Sequence, residues 1–237
     1  MAGPVSEPAK VRRFYEAAGI EAEGDAYAVT LDGRRARSPG RRVLAGPLTL
    51  AEAMAAEWAG QGETLDMASM PLTRLHGQFL DADDEQRAAW GETVVAYAGS
   101  DLLCYRGDDR KLAARQAEVW QPFLDEIGDA AGDSFAVTEG IMAVGQPEGV
   151  LSGVRGLVAD LSEAHRFAAR HLTEITGSAV LALAAIRGAD PDAVFAASRL
   201  DETFQAERWG VDAEAAAREA ARRRDFGAVV RYAALTA

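Results

Sequence analysis

The chain has 237 residues, 49% hydrophobic and 26% charged, with a formal net charge of -12 and a single cysteine. That is enough chain for a sizeable core. The acidic balance argues against a nucleic-acid partner, because phosphate neutralisation dominates such binding. Cys104 alone makes no intramolecular disulfide and fits a reducing compartment. The longest apolar run, Gly177 to Ile186, is too short to span a bilayer, so no membrane insertion is expected. The first ten residues, "MAGPVSEPAK", have neither the apolar core of a secretory signal nor the arginines of a transit peptide, and the expected location is cytoplasmic.

Along the chain, residues 11 to 25 fit a short helix or an opening strand equally well. Tyr27, Val29 and Leu31 then alternate with smaller residues; Asp32-Gly33 and Pro39-Gly40 supply turns before Val43-Leu44, predicting an antiparallel β-meander. Five arginines crowd residues 34 to 42 and three more stand at 222 to 224, read as solvated basic surfaces. "TLAEAMAAEWAG" predicts a helix with a Thr49/Glu52 capping box, a Leu50-Met54-Trp58 stripe and a stop at Gly60. Leu72, Leu75 and Phe79 mark a second stripe. Residues 84 to 99 and 111 to 128 predict two further helices, the latter accommodating Pro122. Residues 134 to 144 read as extended, and the last hundred as almost all helical, with Asp190 capping a helix that starts at Pro191. The expected fold is α+β: a small N-terminal α+β domain, residues 1–85, then an all-helical, orthogonal-bundle domain, residues 86–237.

Tests for catalytic chemistry fail. There is no G-x-S-x-G elbow. Of the three histidines, His76, His165 and His171, the last two stand about 240° apart on a helix and share no face for a metal. "GIMAVGQP", from Gly140, lacks the lysine of a phosphate loop and reads as a turn. "GQGETL", from Gly60, follows a helix instead of a strand, and "DADDEQ", from Asp81, lacks the glycine of a calcium loop. No catalytic residue, metal site or cofactor is expected.

"SRLDETFQAERWG", residues 198 to 210, gathers the remaining candidates. On one continuous helix from 191 to 208, Val194, Ala197, Leu200 and Phe204 form a buried stripe. Glu202 then points away from it, about 200° from Leu200. Asp201 flanks the stripe, and Gln205 lies one turn on. Neighbouring carboxylates diverge by about 100°, so Asp201 and Glu202 do not clamp one reacting atom. A solvated helix face and an acidic partner contact both remain open. Trp209-Gly210 reads as a helix stop with the indole packed back on the core.

Nearly the whole chain resembles the assembly chaperones of F-type ATP synthases. The resemblance is carried in order by "RRFYEAAG", "VTLDGRRARSP", "LAEAMAAEW", "MPLTRL", "YAGSDLLCYR", "QAEVWQPFL", "VTEGI", "TGSAVLALA" and "LDETFQAERWGVDAEAAAR". It implies a small α+β domain joined to a helical bundle. It also implies a non-enzymatic function: holding the unassembled alpha subunit of the catalytic head, shielding its beta-facing surface and yielding it on assembly. The functional acidic residue of the family's "DE…Q…WG" block falls on Glu202. With it, Asp201, Gln205 and Glu207 form the expected partner-binding set, and Trp58, Trp209 and Gly210 the structural anchors, Trp58 between the domains. At His76-Gly77-Gln78-Phe79 the chain departs from the small polar residues usual in the family. Family members are mitochondrial or bacterial; the reading here is a bacterial, cytoplasmic monomer. The alternatives are a small hydrolase or ligand-binding enzyme using Asp201, Glu202 and His171, and a nucleotide-linked regulator using the Arg34–Arg42 cluster.

Overall fold

In the computed structural model the described residues are 11–140, 143–210 and 212–237. Contacts divide the chain into two units, one ending at Asp81 and the other running from Ala82 to Leu235.

The first unit is organised by its hairpins. Strands β1 (Ala18–Glu23) and β2 (Ala26–Leu31) pair antiparallel from Ala18↔Leu31 to Glu23↔Ala26, so the later part of the ambiguous opening segment is a strand and none of it is helix. Asp32 and Gly33 both take positive φ, 49° and 73°. That turn follows the right-handed twist of the strands and leads into β3 (Arg34–Arg35). Strand β4 (Ala45–Gly46) pairs with the other end of β2, at Tyr27↔Gly46. The sequence suggests one buried face for β2, yet Ala28, Val29, Thr30 and Leu31 are buried in succession, as in a strand covered on both faces.

Helix α1 (Leu48–Ala59) starts from Pro47 without a side-chain cap. The expected Thr49/Glu52 capping box is therefore corrected: the Pro47 carbonyl accepts the first helical bond, from Ala51 N–H, and both residues lie inside the helix. Its Leu50, Met54 and Trp58 are buried, as their spacing predicts. Trp58 meets the edge of Tyr15 at 5.7 Å, and the Tyr15 hydroxyl donates to the Trp58 carbonyl at 2.7 Å. Both contacts lie within the first unit. The Glu57 carboxylate accepts the Leu72 and Thr73 amides, both at 2.8 Å, and so caps helix α2 (Pro71–Asp81) from outside. The buried face of α2 is Leu72, Thr73, His76 and Gly77; Leu75 and Phe79 are only half-buried, so the expected stripe is rotated. His76 Nε2 lies 2.9 Å from the Ala45 carbonyl oxygen, and burial lowers the pKa of the imidazole.

The second unit opens with α3 (Asp84–Ala98), where Asp83 and Gln86 form a reciprocal capping box. This accounts for Asp83, Asp84 and Glu85 of "DADDEQ", which cap the helix or lie in its first turn; the boundary expected after residue 85 falls in the first turn of α3. Helix α4 (Arg110–Ala131) contains Pro122. Strands β5 (Tyr105–Arg106) and β6 (Thr138–Glu139) pair in parallel, so this unit is not all-helical, and the extended segment expected over 134–144 shrinks to two paired residues. Ile141 and Met142, part of that segment and of the turn placed at "GIMAVGQP", lie outside the described residues. Helices α5 (Glu148–Ala159), α6 (Glu163–Thr176), α7 (Ala179–Ile186), α8 (Pro191–Ser198), α9 (Leu200–Trp209) and α10 (Ala213–Leu235) follow.

Helix α7 is the axis of this unit. Residues Ala179 to Ala184 are all buried, and α3, α4, α6, α8 and α10 surround the helix. A helix apolar on every face has to be wrapped in this way. Beside it Phe167 meets Trp90, His171 and Tyr232 edge-on, at 5.1, 4.5 and 5.7 Å. Helices α4 and α5 approach closely where Gly153 lies against the Ala131 carbonyl, a space that admits no Cβ.

Asp101 ties the chain before α4 to the start of α7. Its carboxylate is fully buried and accepts from the Leu103 amide at 3.1 Å, the Ser178 hydroxyl at 2.7 Å and the Val180 amide at 3.0 Å. Desolvation outweighs these bonds and pushes its pKa up from 3.8 to about 6. Between those values the folded protein holds a proton that the unfolded chain has released. The contribution of Asp101 to stability is therefore greatest below pH 3.8 and is lost as pH rises through 6. We expect Asp101→Asn to remove this component: between pH 5 and 7 the wild-type unfolding free energy should fall by about 1 kcal/mol relative to the variant. Parallel urea-denaturation profiles across that range would rule this out. Asp101→Ala, which leaves three buried donors unmatched, should lower stability by about 3 kcal/mol or more at pH 7.

Candidate functional site

The single helix expected over 191–208 is two helices. Arg199, at φ -115° and ψ 15°, ends α8 and begins α9. The break leaves carbonyls at the end of α8 without helical donors, and helix α4 fills one of them: Trp120 Nε1–H donates to the Ala197 carbonyl at 2.8 Å. The Ser198 hydroxyl donates to the Phe195 carbonyl at 2.7 Å. Trp120 is 1% exposed, so this bond is made in the core.

Helix α4 then holds α9 along its length. Gln116, fully buried, accepts the Gly107 amide at 2.8 Å and donates to Asp201 Oδ1 at 2.7 Å. Arg115 donates to both carboxylate oxygens of Glu207 at 2.9 Å. Arg208 pairs with Asp109 at 2.9 Å and lays its guanidinium 4.5 Å from the centre of the Phe204 ring. Asp109 is also the cap of α4; amides of Leu112 and Lys111, with Arg208, hold its carboxyl below the ordinary range. The exposed pairs contribute about 0–1 kcal/mol each, but together they fix register.

This geometry places each expected residue. Asp201 is half-buried and turned to Gln116, whereas Glu202 has a side chain 54% exposed, pairing with Arg199 at 2.7 Å. Arg199 also pairs with Glu219 on α10 at 3.0 Å, and its side chain is only 14% exposed. Gln205 and Glu207 are exposed. Trp209 corrects the sequence reading: it is 84% exposed and does not pack back on the core. Its helix ends at Gly210, whose φ of 77° and ψ of 175° suit a residue without Cβ. Leu200 is buried as expected, but Phe204 is only half-buried beneath Arg208.

Asp201, Glu202, Arg199 and Arg222 line a cleft of about 260 Å³, together with Trp120 and Thr176. No histidine is among the described residues lining it. His171 instead lies against Phe167, and burial, with a smaller effect of Arg170, brings its pKa down to about 4. The convergence that an acid/base enzyme would need is thus not present among these residues. No group of three or more candidate metal ligands occurs among the described residues, and no described helix is long and apolar enough to cross a membrane. Sequence reasoning missed Arg199, Arg115, Gln116 and Arg222. Arg199 had a signal, its i,i+3 spacing from Glu202; Gln116 and Arg115 come from 85 and 92 residues away and had none.

The chain matches the ATP12 chaperone protein family over residues 12–128. Protein atp12 of Schizosaccharomyces pombe, a mitochondrial protein, is 22% identical over 222 residues, which span 87% of this chain and 76% of that protein. The crystal structure of Atp12 from Paracoccus denitrificans superposes with a TM-score of 0.89 at 38% identity, covering 96% of this chain and 99% of that one. An Asp-to-Lys mutant of the same bacterial protein superposes equally well. A protein of Agrobacterium tumefaciens, 32% identical, gives a TM-score of 0.88 over 94% of this chain and 85% of its own. The chain belongs to the ATP12 chaperone family, the assembly chaperones of the F-type ATP synthase.

Proposed function

We propose that this protein holds the unassembled alpha subunit of the F-type ATP synthase catalytic head, covers the surface that later meets the beta subunit, and releases it on assembly. The observation that carries this reading is the outer edge of α9, where Glu202 and an 84% exposed Trp209 sit on a helix locked to α4. A water-exposed indole on a rigid helix is an anchor in search of a pocket, and the charges around it set orientation and on-rate. Asp201, Gln205 and Glu207 lie on the same helix and complete the contact set. We infer action without catalysis, in a bacterial cytoplasm; identities of 38% and 32% with two bacterial proteins support that placement.

The test is co-expression with the free alpha subunit, reading how much alpha stays soluble and co-purifies. Glu202→Lys sets an ammonium beside the Arg199 guanidinium and turns an attraction into a repulsion. Capture of alpha should fall about tenfold or more, while the melting temperature moves by no more than about 2 °C, since the site is exposed. Undiminished capture would remove Glu202 from the interface. Trp209→Ser should weaken the complex by about 2 kcal/mol or more and leave the melting temperature of the free protein unchanged. A large drop in melting temperature with intact capture would return Trp209 to a structural role.

A further inference from the structure

The basic stretch Arg34, Arg35, Arg37, Arg41 and Arg42 stands in a chain of net charge -12, so the remainder of the chain is more acidic still. All five arginines are exposed. Arg35 is neutralised by Glu21 and Glu23 of strand β1. Arg37, Arg41 and Arg42 make no ion pair among the described residues.

The turn that follows Arg37 and carries Arg41 and Arg42 is held from several sides. Ser38 N–H donates to the Arg42 carbonyl at 2.8 Å, Arg41 N–H to the Ser38 carbonyl at 2.9 Å, and Arg42 N–H to the Ser38 hydroxyl at 3.0 Å. Asp81, the last residue of α2, accepts from the Ser38 hydroxyl and from Gly40 N–H. The Arg37 guanidinium donates to the Arg41 carbonyl at 2.8 Å. Ser38 is 6% exposed, which roots the turn in the first unit. This clamp keeps Arg41 at φ 66°, a left-handed conformation that disfavours a side chain and favours glycine. Such strain persists only when surrounding bonds impose it, and it recurs at ligand clamps. A long cation sits where glycine would be the more stable residue.

We propose that the Ser38–Arg42 turn is a preorganised docking point for an acidic polypeptide segment of a partner protein, one presenting consecutive Asp or Glu side chains. Guanidinium forks match carboxylates in bidentate geometry. A charge patch in water reaches about one Debye length, ~8 Å, which suits a short acidic stretch. A nucleic acid would extend its phosphates over the acidic remainder of the chain and be repelled there. A nucleotide takes an enclosing pocket, whereas these arginines are all exposed. The proposal uses no residue of α9, so it stands or falls independently of the role given to Glu202.

The experiment measures anisotropy of a fluorescein-labelled hexaglutamate peptide titrated with the full chain. The proteins are the wild type, an Arg37→Glu/Arg41→Glu/Arg42→Glu variant and Arg41→Gly, with ATP and a short single-stranded DNA as competitors. We expect wild-type binding to weaken about tenfold or more in the triple variant, and to weaken as salt rises from about 50 to about 300 mM. Arg41→Gly should bind the peptide less tightly while its melting temperature stays level or rises. ATP and DNA should not displace the peptide at equal concentration. Absent wild-type binding or equal binding by the triple variant overturns the proposal. Displacement by ATP or DNA reassigns the turn to a phosphate ligand and also overturns it. An Arg41→Gly protein with a lowered melting temperature and undiminished peptide affinity makes the turn purely structural, and the proposal fails.

Discussion

The Trp120 indole N–H that meets the Ala197 carbonyl is the contact on which the α9 surface depends. A helix cannot be interrupted inside a packed unit without leaving carbonyls that water does not reach. At the break beside Arg199 one of these is filled by a side chain from the long helix α4, so the interruption becomes a defined corner. Once the corner exists, α9 leaves it in one direction. Gln116 and Arg115 on α4, with its cap Asp109, meet Asp201, Glu207 and Arg208 spaced along α9. The part-buried bond from Gln116 to Asp201 is better shielded from water than the exposed ion pairs, which contribute little singly.

The two adjacent carboxylates consequently do different work. Asp201 accepts an amide hydrogen bond from the core and serves as a pin, whereas Glu202 stands outside with its charge balanced by Arg199. Arg199 is largely buried yet reaches both Glu202 and Glu219, so it joins α9 to α10 through one guanidinium. The surface of α9 thus carries one pinned acid, one paired acid and an exposed indole.

The first unit shows a similar division between rigid support and displayed charge. Asp81 at the end of α2 and the buried Ser38 hold a turn whose backbone would otherwise relax, and the arginines they present face water. His76 and Glu57 bind α2 to the sheet and to α1 with hydrogen bonds made inside the unit. His76 and Gly77 sit at the centre of this packing: the imidazole is buried and bonded to Ala45, and Gly77 lies against the Ser38–Pro39 turn.

Much of the fold was legible in the residues themselves. Alternation and the Asp32-Gly33 pair specify the central hairpin, the ten-residue run containing "AVLALAAI" specifies a wrapped helix, and Leu50, Met54 and Trp58 specify the face of α1, because these signals act within a few residues. Co-linear motifs over most of the chain specify the family. What the residues did not carry was anything set by distant partners. Periodicity continued smoothly through Arg199 because the break is stabilised by Trp120, 77 residues away. Trp209 looked like a core aromatic because hydrophobicity alone does not tell a buried ring from an exposed one; in the structure it stands exposed at the end of α9. Local sequence thus determined which elements form, and long-range hydrogen bonds, costly to leave unmade in the interior, determined where α9 points and which of its side chains stand exposed.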